Sequence, residues 1–159
     1  MYLKTEILKF MSLAIDEAKK ADINNEVPVG SIVIFENKII GRGFNQTLLN
    51  NSVTSHAEIM AINDASNYLN NHRLNGCIIF STLEPCHMCA KAIVDARIKK
   101  LYFGAKEPKT GAIVSVDNFF GKPFLNHKVE FEGGFLEAKS IEILQHFFWP
   151  IVLIKGTVN

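Results

Sequence analysis

The chain has 159 residues, of which 48% are hydrophobic and 21% charged, and its formal net charge is +1. This length predicts a single domain over residues 1–159 with a substantial core, and the composition excludes a disordered chain. Because 17 basic residues nearly balance 16 acidic ones, a strong overall basic field is excluded, and any contact with nucleic acid must come from a local patch.

Neither a secretory signal nor a membrane anchor is predicted. The first residues alternate charged with apolar side chains, unlike a signal peptide, and no apolar run is long enough to cross a bilayer. Two of the three cysteines lie only three positions apart, which fits metal binding in a reducing compartment better than a disulfide framework. We therefore expect a cytoplasmic protein with no membrane partner.

The first half of the chain changes between helical and β periodicity. Apolar residues at helical spacing, two β-prone runs and a second helical pattern predict a helix, a hairpin and another helix. These elements are expected over residues 5–21, 31–35, 38–43 and 56–69. The last pattern places His56 near the start of a helix.

The second half of the chain alternates short apolar runs with helical patterns. Three strands are expected over residues 77–80, 101–103 and 129–131, and two helices over residues 86–96 and 135–148. Pro85 favours the start of the first of these helices, and Pro150 is expected to end the last one. The order of elements predicts a three-layer α/β/α sandwich around a central mixed sheet of about five strands.

Two cysteines at the start of a predicted helix indicate a metal site. In Pro85-Cys86-His87-Met88-Cys89 both thiols share one helical face, and the helix N-terminus favours their thiolate forms. If the two helix starts meet in the fold, His56 supplies a third ligand, and a tetrahedral zinc ion keeps one position open for water. We predict one Zn²⁺ per subunit, bound by His56, Cys86 and Cys89.

Glu58 stands two positions after His56, close enough to act beside the metal without binding it. A carboxylate there can move the protons of an activated water, one to a ring nitrogen and one to departing ammonia. The pattern therefore predicts a hydrolytic deaminase of a purine or pyrimidine base, with Glu58 as the catalytic residue. The alternative is a closed structural zinc site, in which His87 or Cys77 completes four ligands and Glu58 is a solvated helix residue.

Several segments carry a family resemblance. They read His56-Ala57-Glu58-Ile59-Met60-Ala61, Thr82-Leu83-Glu84-Pro85-Cys86-His87-Met88-Cys89-Ala90, Glu26-Val27-Pro28-Val29-Gly30, Gly41-Arg42-Gly43-Phe44-Asn45, Phe103-Gly104-Ala105, Lys109-Thr110-Gly111-Ala112 and Asn126-His127-Lys128-Val129-Glu130. Over about residues 6–148 the chain resembles the cytidine deaminase superfamily, and within it the bacterial tRNA adenosine deaminases. The resemblance implies a cytidine deaminase-like fold and a homodimer that converts the wobble adenosine of a tRNA anticodon to inosine.

The resemblance also implies substrate-binding roles. Asn45 matches a residue that hydrogen-bonds the target nucleotide, while Val29 and Ala57 match walls of the base pocket. Phe148 matches an aromatic residue that packs on the anticodon stem-loop, and Asn126 matches an asparagine that contacts it. A purely structural role for Asn45, satisfying the turn at the end of its strand, is the alternative.

Two departures from the family pattern concern contacts with RNA. Glu107 followed by Pro108 stands where these enzymes commonly carry an aspartate that accepts a hydrogen bond from the RNA backbone. The longer carboxylate implies the same role in a different geometry. After Phe148 the family often continues with arginines, whereas residues 149–154 are apolar here. We expect this apolar tail to pack on its own protomer or at a subunit interface.

The zinc motif by itself does not select a substrate, because deaminases of free bases and nucleosides share it. The main alternative is therefore a zinc-dependent deaminase of free guanine, cytosine or cytidine. A further alternative from another class is a zinc-stabilised RNA-binding subunit without catalysis, against which the position of Glu58 argues.

Overall fold

The structure, a computed structural model, describes residues 1–156, with side chains described up to Pro150. It contains four α-helices and five strands within that range. In chain order the elements are α1 (Lys4–Ile23), β1 (Gly30–Phe35), β2 (Lys38–Phe44), α2 (Ala57–Leu69), β3 (Ile78–Leu83), α3 (His87–Asp95), β4 (Lys100–Ala105), a short 3-10 helix (Phe119–Gly121), β5 (Glu130–Glu132) and α4 (Glu137–Gly156).

The five strands form one mixed sheet in the order β2-β1-β3-β4-β5. Strand β1 pairs antiparallel with both β2 and β3, whereas β4 pairs parallel with β3 and β5. Glu36 and Asn37 both adopt positive φ angles, as a two-residue hairpin turn between β1 and β2 requires. The predicted hairpin, the mixed sheet and the three-layer α/β/α class are thus confirmed.

Helices cover both faces of the sheet because side chains alternate sides along each strand. Ile32 and Ile34 of β1 belong to the core beneath α1, together with Phe80. Val33, between them in sequence, belongs to the opposite core beneath α2 and α3, together with Ile79. Helix α4 lies on the α1 side of the sheet and contacts β4. This arrangement places the first residues of α2 and α3 on the same face.

Strand β3 continues to Leu83, three residues beyond the predicted end at residue 80. Ser81 and Thr82 interrupt the apolar pattern but remain buried, because their hydroxyl groups find partners inside the fold. The Thr82 hydroxyl accepts a hydrogen bond from the Gly30 backbone at 3.1 Å, and that of Ser81 lies 2.9 Å from the Leu83 carbonyl oxygen. The extension carries the chain directly to the cysteine motif.

Helix α4 runs through Pro150 to Gly156, so the prediction that Pro150 ends this helix is wrong. Proline removes one backbone N–H donor, but the residues on both sides keep helical geometry, so the helix continues past it. The predicted packing of the apolar tail concerns side chains that lie mostly outside the described residues. No helix in the described part of the chain is both long and apolar enough to span a membrane.

Gly43 allows α2 to lie directly on β2. A Cβ atom at this position would approach the Ala57 carbonyl oxygen to 2.3 Å and the Ala61 nitrogen to 2.5 Å.

We expect Gly43→Ala to lower the free energy of unfolding by about 1–3 kcal/mol, because the helix must move off the sheet. Urea unfolding would measure the loss. The exposed substitution Asn63→Ala on the same helix should stay within about 0.5 kcal/mol of wild type, and equal stability of both variants would contradict this packing argument.

Candidate metal and catalytic site

The starts of α2 and α3 meet and bring together three potential metal ligands. His56 occupies the N-cap position of α2, Cys86 occupies that of α3, and Cys89 lies in the first turn of α3. The Nδ1 atom of His56 lies 3.7 Å from Sγ of Cys86 and 3.5 Å from Sγ of Cys89. All three ligand atoms lie within 4.8 Å of one another. His56 thus forms one cluster with two cysteines that lie 30 and 33 positions further along the chain.

These three side chains fit a zinc ion. Zinc bonds of about 2.0–2.3 Å in tetrahedral geometry set neighbouring ligand atoms roughly 3.5 Å apart, close to the separations observed here. Two sulfur atoms and one imidazole nitrogen are a common donor set for zinc. The hydrogen bond from Cys89, with support from His56, lowers the pKa of Cys86 to about 4, so a thiolate faces the ligand cluster. The cofactor of this site is zinc.

A closed structural site would need a fourth protein ligand. Within the described side chains, the potential metal-binding group consists of three residues. His87 turns away and lies 2.9 Å from the Asp117 carboxylate through Nε2. Cys77 is fully buried in the core between the sheet and α3, where burial raises its pKa to about 11. The two residues considered as a fourth ligand therefore have other surroundings.

Glu58 lies beside the ligand cluster and is only 4% exposed. Its Oε2 atom lies 3.4 Å from the Cys89 sulfur, and its Oε1 atom accepts a hydrogen bond from the Ser81 hydroxyl at 3.0 Å. Burial raises the pKa of Glu58 above the ordinary glutamate value. A carboxylate in this state is better suited to accept and release protons near neutral pH.

A cavity of about 270 Å³ opens onto the cluster and Glu58. It is a concave, partly apolar site, slightly smaller than the usual small-molecule pocket of about 300–1,000 Å³. Strand ends and the loops that follow them supply most of its walls. The lining residues are Val27, Val29, Asn45, Thr47, His56, Ala57, Glu58, Leu83, Glu84, Cys86, Glu107 and Thr110. The cavity therefore brings Val29, Asn45, Ala57 and Glu107 together with the proposed metal and proton-transfer residues.

Asn45 is oriented by a buried carboxylate, Glu26, to which the sequence motifs assigned no role. Its Nδ2 atom donates to Glu26 at 3.3 Å, and Glu26 also accepts hydrogen bonds from the backbone N–H groups of Leu48 and Leu49. Among the described residues the carboxamide oxygen of Asn45 has no hydrogen-bond partner. It is therefore available to a ligand in the cavity.

Phe148 and Asn126 lie outside the cavity. Phe148, which is 41% exposed, lines a neighbouring groove that shares Val27, Leu83 and Glu107 with the cavity. Asn126 accepts hydrogen bonds from Arg97 through both its backbone and side-chain oxygens. The groove leaves Phe148 close enough to contact a ligand that extends from the cavity, while a ligand contact of Asn126 stays a prediction.

The sequence motifs assigned no site role to several lining residues, among them Thr47, Leu83, Glu84 and Thr110. Glu84 carried a signal that could have identified it, since a charged residue between an apolar strand and a helix-starting proline is unusual in a buried segment. Thr47 and Leu83 carried none, because their pattern is that of ordinary loop and strand residues.

Known proteins that are similar to this chain are deaminases. Residues 4–105 match the family model of the cytidine and deoxycytidylate deaminase zinc-binding region. The tRNA-specific adenosine deaminase of Agrobacterium fabrum is 45% identical over 139 residues, with 87% of this chain and 91% of that protein covered. A solved structure from work on A-to-I editing by tRNA:A34 deaminases matches with a TM-score of 0.83 at 44% identity, covering 86% of this chain and 99% of that one. A guanine deaminase structure from Nitrosomonas europaea shares the fold, with a TM-score of 0.73 at 21% identity over 88% of this chain and 83% of that one.

Proposed function

The chain belongs to the cytidine and deoxycytidylate deaminase family, and on that premise we propose that it hydrolyses the wobble adenosine of a tRNA anticodon to inosine. The observation that carries this function is the cavity in which a buried Glu58 lies beside a Cys₂His ligand set. The substrate follows from the similarity to tRNA-specific adenosine deaminases over most of the chain. The protein is thus a zinc-dependent hydrolase that acts on a carbon–nitrogen bond.

His56, Cys86 and Cys89 hold the zinc ion in this proposal. When bound, zinc would lower the pKa of a water molecule to about 7 and so provide a nucleophile at neutral pH. Glu58 takes up one proton of the attacking water and delivers it to the ring nitrogen, where it stays in the product. It then moves the second proton of that water to the amine, which leaves as ammonia while the oxygen remains on the ring carbon. The Ser81 hydroxyl, 3.0 Å from Oε1, keeps the carboxyl group turned toward the ligand cluster.

The cavity accommodates one base that has left its stack. A base within a stacked strand hides the atom that reacts, so the target adenosine must be flipped out of the anticodon loop. Val29 and Ala57 form walls beside this base, and the free carboxamide oxygen of Asn45 accepts a hydrogen bond from the nucleotide. Glu107 at the rim and Phe148 in the neighbouring groove contact the loop nucleotides next to it.

The proposal also covers the assembly of the enzyme, its location and its domain structure. We place the enzyme in the cytoplasm as a homodimer of one-domain subunits that binds the anticodon stem-loop of tRNA. Exposed apolar side chains at Leu48, Leu49 and Val53, in one loop near the cavity, support a protein interface. Three free cysteines support a reducing compartment.

An assay with separate RNA and small-molecule substrates tests the function. We expect inosine to form in a synthetic anticodon stem-loop with adenosine at the wobble position, as measured by mass spectrometry of the digested nucleosides. The same stem-loop with that adenosine moved one position along the loop, and free adenosine, cytidine and guanine, should remain unconverted. Conversion of a free base or nucleoside alone would replace the substrate assignment, and binding of the stem-loop without any conversion would favour the non-catalytic subunit.

A further inference from the structure

Glu84 is a buried carboxylate whose role is separate from metal binding and proton transfer. It is only 2% exposed, and no Lys or Arg in the described part of the chain forms an ion pair with it. A buried carboxylate without a cation requires hydrogen-bond donors to offset its loss of hydration. The donors of Glu84 therefore show what this side chain holds in place.

All of these donors belong to one segment, residues 107–115, which we call the cavity loop. The backbone N–H groups of Ile113, Val114 and Ser115 each donate to Oε2 at 3.1 Å. Oε1 accepts from the Glu107 backbone N–H at 3.3 Å and from the Ser115 hydroxyl. Hydrogen bonds from both ends of the cavity loop thus converge on one carboxylate.

The cavity loop contains turns but no helix or strand, so it lacks a regular backbone hydrogen-bond pattern of its own. A Cβ atom on Gly111 would lie 2.3 Å from Oε2 of Glu84. The Ala112 backbone N–H also donates to the Pro85 carbonyl oxygen at 2.9 Å. The loop is therefore folded closely around Glu84.

This arrangement joins the two sides of the active site. Glu84 stands two residues before the proposed zinc ligand Cys86, and both line the cavity together with Glu107 and Thr110 of the cavity loop. A carboxylate that fixes both segments sets the distance between the ligand cluster and the groups that meet the substrate. A small displacement of these groups relative to the ligand cluster strongly weakens the productive binding of a substrate.

We propose that Glu84 is a positioning residue that holds the cavity loop in its substrate-binding shape, with Glu107 and Thr110 facing the cavity. The inference rests on the proposed function, since the substrate that the loop meets is the anticodon stem-loop. Glu84 acts through the loop and not on the reacting atoms, so its loss weakens substrate binding more than the chemical step.

The variant Glu84→Gln tests this role with little change of volume. In this variant an NH₂ group replaces one of the two carboxylate oxygens. That group is a donor, so it cannot accept the hydrogen bonds of the N–H groups that face it. Hydrogen exchange followed by mass spectrometry should show faster exchange of the amides of residues 113–115 by at least about 10-fold, because hydrogen bonds to a charged acceptor are lost. Zinc content should stay at one ion per chain. KM for the stem-loop should rise by about 10-fold while kcat falls by less than about 3-fold.

Two further variants separate positioning from general damage. Ser115→Ala removes one donor and keeps the three backbone N–H groups, so it should shift exchange and KM in the same direction by a smaller amount. The effects of Glu84→Gln and Glu107→Gln on KM should be less than additive when combined, because both act through the cavity loop. If Glu84→Gln fails to fold, Ser115→Ala decides the question by the same two measurements.

The outcomes for Glu84 and for the proposed function can be told apart. Wild-type exchange of residues 113–115 in Glu84→Gln would overturn the positioning role, whatever substrate the enzyme uses. A loss of kcat with unchanged KM would also overturn it, because it would place Glu84 at the reacting atoms. Failure of the wild-type protein to convert the stem-loop would count against the proposed function, and exchange of the loop amides would still measure what Glu84 holds.

Discussion

Glu58→Gln should bind zinc as the wild type does and lose nearly all turnover. The substitution keeps the size of the side chain and removes its capacity to take up and release a proton. General acid–base groups contribute about 10²–10⁴-fold to rates, so we expect kcat for inosine formation to fall by at least about 10³-fold. Single-turnover kinetics on the anticodon stem-loop would measure the chemical step, and metal analysis would give the zinc content of the same sample.

A second buried glutamate provides the matched control. Glu17 of α1 is 2% exposed, pairs with Lys20 and Arg42, and does not line the cavity. Glu17→Gln therefore removes a buried carboxylate outside the active site and should keep wild-type kcat. Normal turnover by Glu58→Gln would refute the proton-transfer role, and loss of zinc from this variant would indicate that Glu58 is a ligand.

The second large effect is expected from Cys86→Ser, which should lose zinc itself. A serine hydroxyl does not replace a thiolate as a zinc ligand, and the two remaining side chains form an incomplete set. Because loss of an outer partner of a metal ligand already costs about 10–100-fold in affinity, we expect loss of a direct ligand to weaken zinc binding by at least about 100-fold. Competition with a coloured chelator would measure the affinity, and turnover should fall in parallel.

Cys77→Ala is the control for this variant. Cys77 is a fully buried thiol in the core and lies outside the ligand cluster. Its replacement should keep one zinc ion per chain while lowering stability by about 1 kcal/mol, since it removes a small buried group. Full zinc occupancy in Cys86→Ser would exclude Cys86 from the ligand set.

Together these variants distinguish binding of the metal from proton transfer. Glu58→Gln should separate zinc content from turnover, whereas Cys86→Ser should lower both. The distinction follows from the geometry, in which the Glu58 carboxyl group contacts Cys89 and Ser81 from outside the three-atom ligand set. A structural zinc site would show no such separation.

Much of the active site could be predicted from the sequence because its chemistry is local. Cys86 and Cys89 are three residues apart on one helical turn, and His56 and Glu58 are two residues apart at a helix start. Side-chain chemistry and helical spacing within such short segments predict a zinc cluster without knowledge of the fold. The helices and the hairpin followed in the same way from hydrophobic periodicity, which reports which face of each element is buried, and the mixed sheet followed from the order of these elements.

Contacts between distant segments could not be predicted in this way. Glu26 accepts from residues 22 and 23 positions away, and Glu84 from donors up to 31 positions away, so neither role leaves a local pattern. Hydrophobic periodicity ends β3 at residue 80 because Ser81 and Thr82 are polar. Hydrogen-bond partners elsewhere in the fold allow both residues to be buried, so the strand continues.

The sequence alone thus determined which residues can bind zinc and carry protons, because those properties belong to the side chains and their spacing. Only the tertiary structure decided that the starts of α2 and α3 meet, that a cavity opens beside Glu58, and that Glu84 accepts hydrogen bonds from a loop that lines this cavity. These features depend on packing and hydrogen bonds between segments that are far apart in the chain, and such interactions form only when the whole sheet and its helices are assembled.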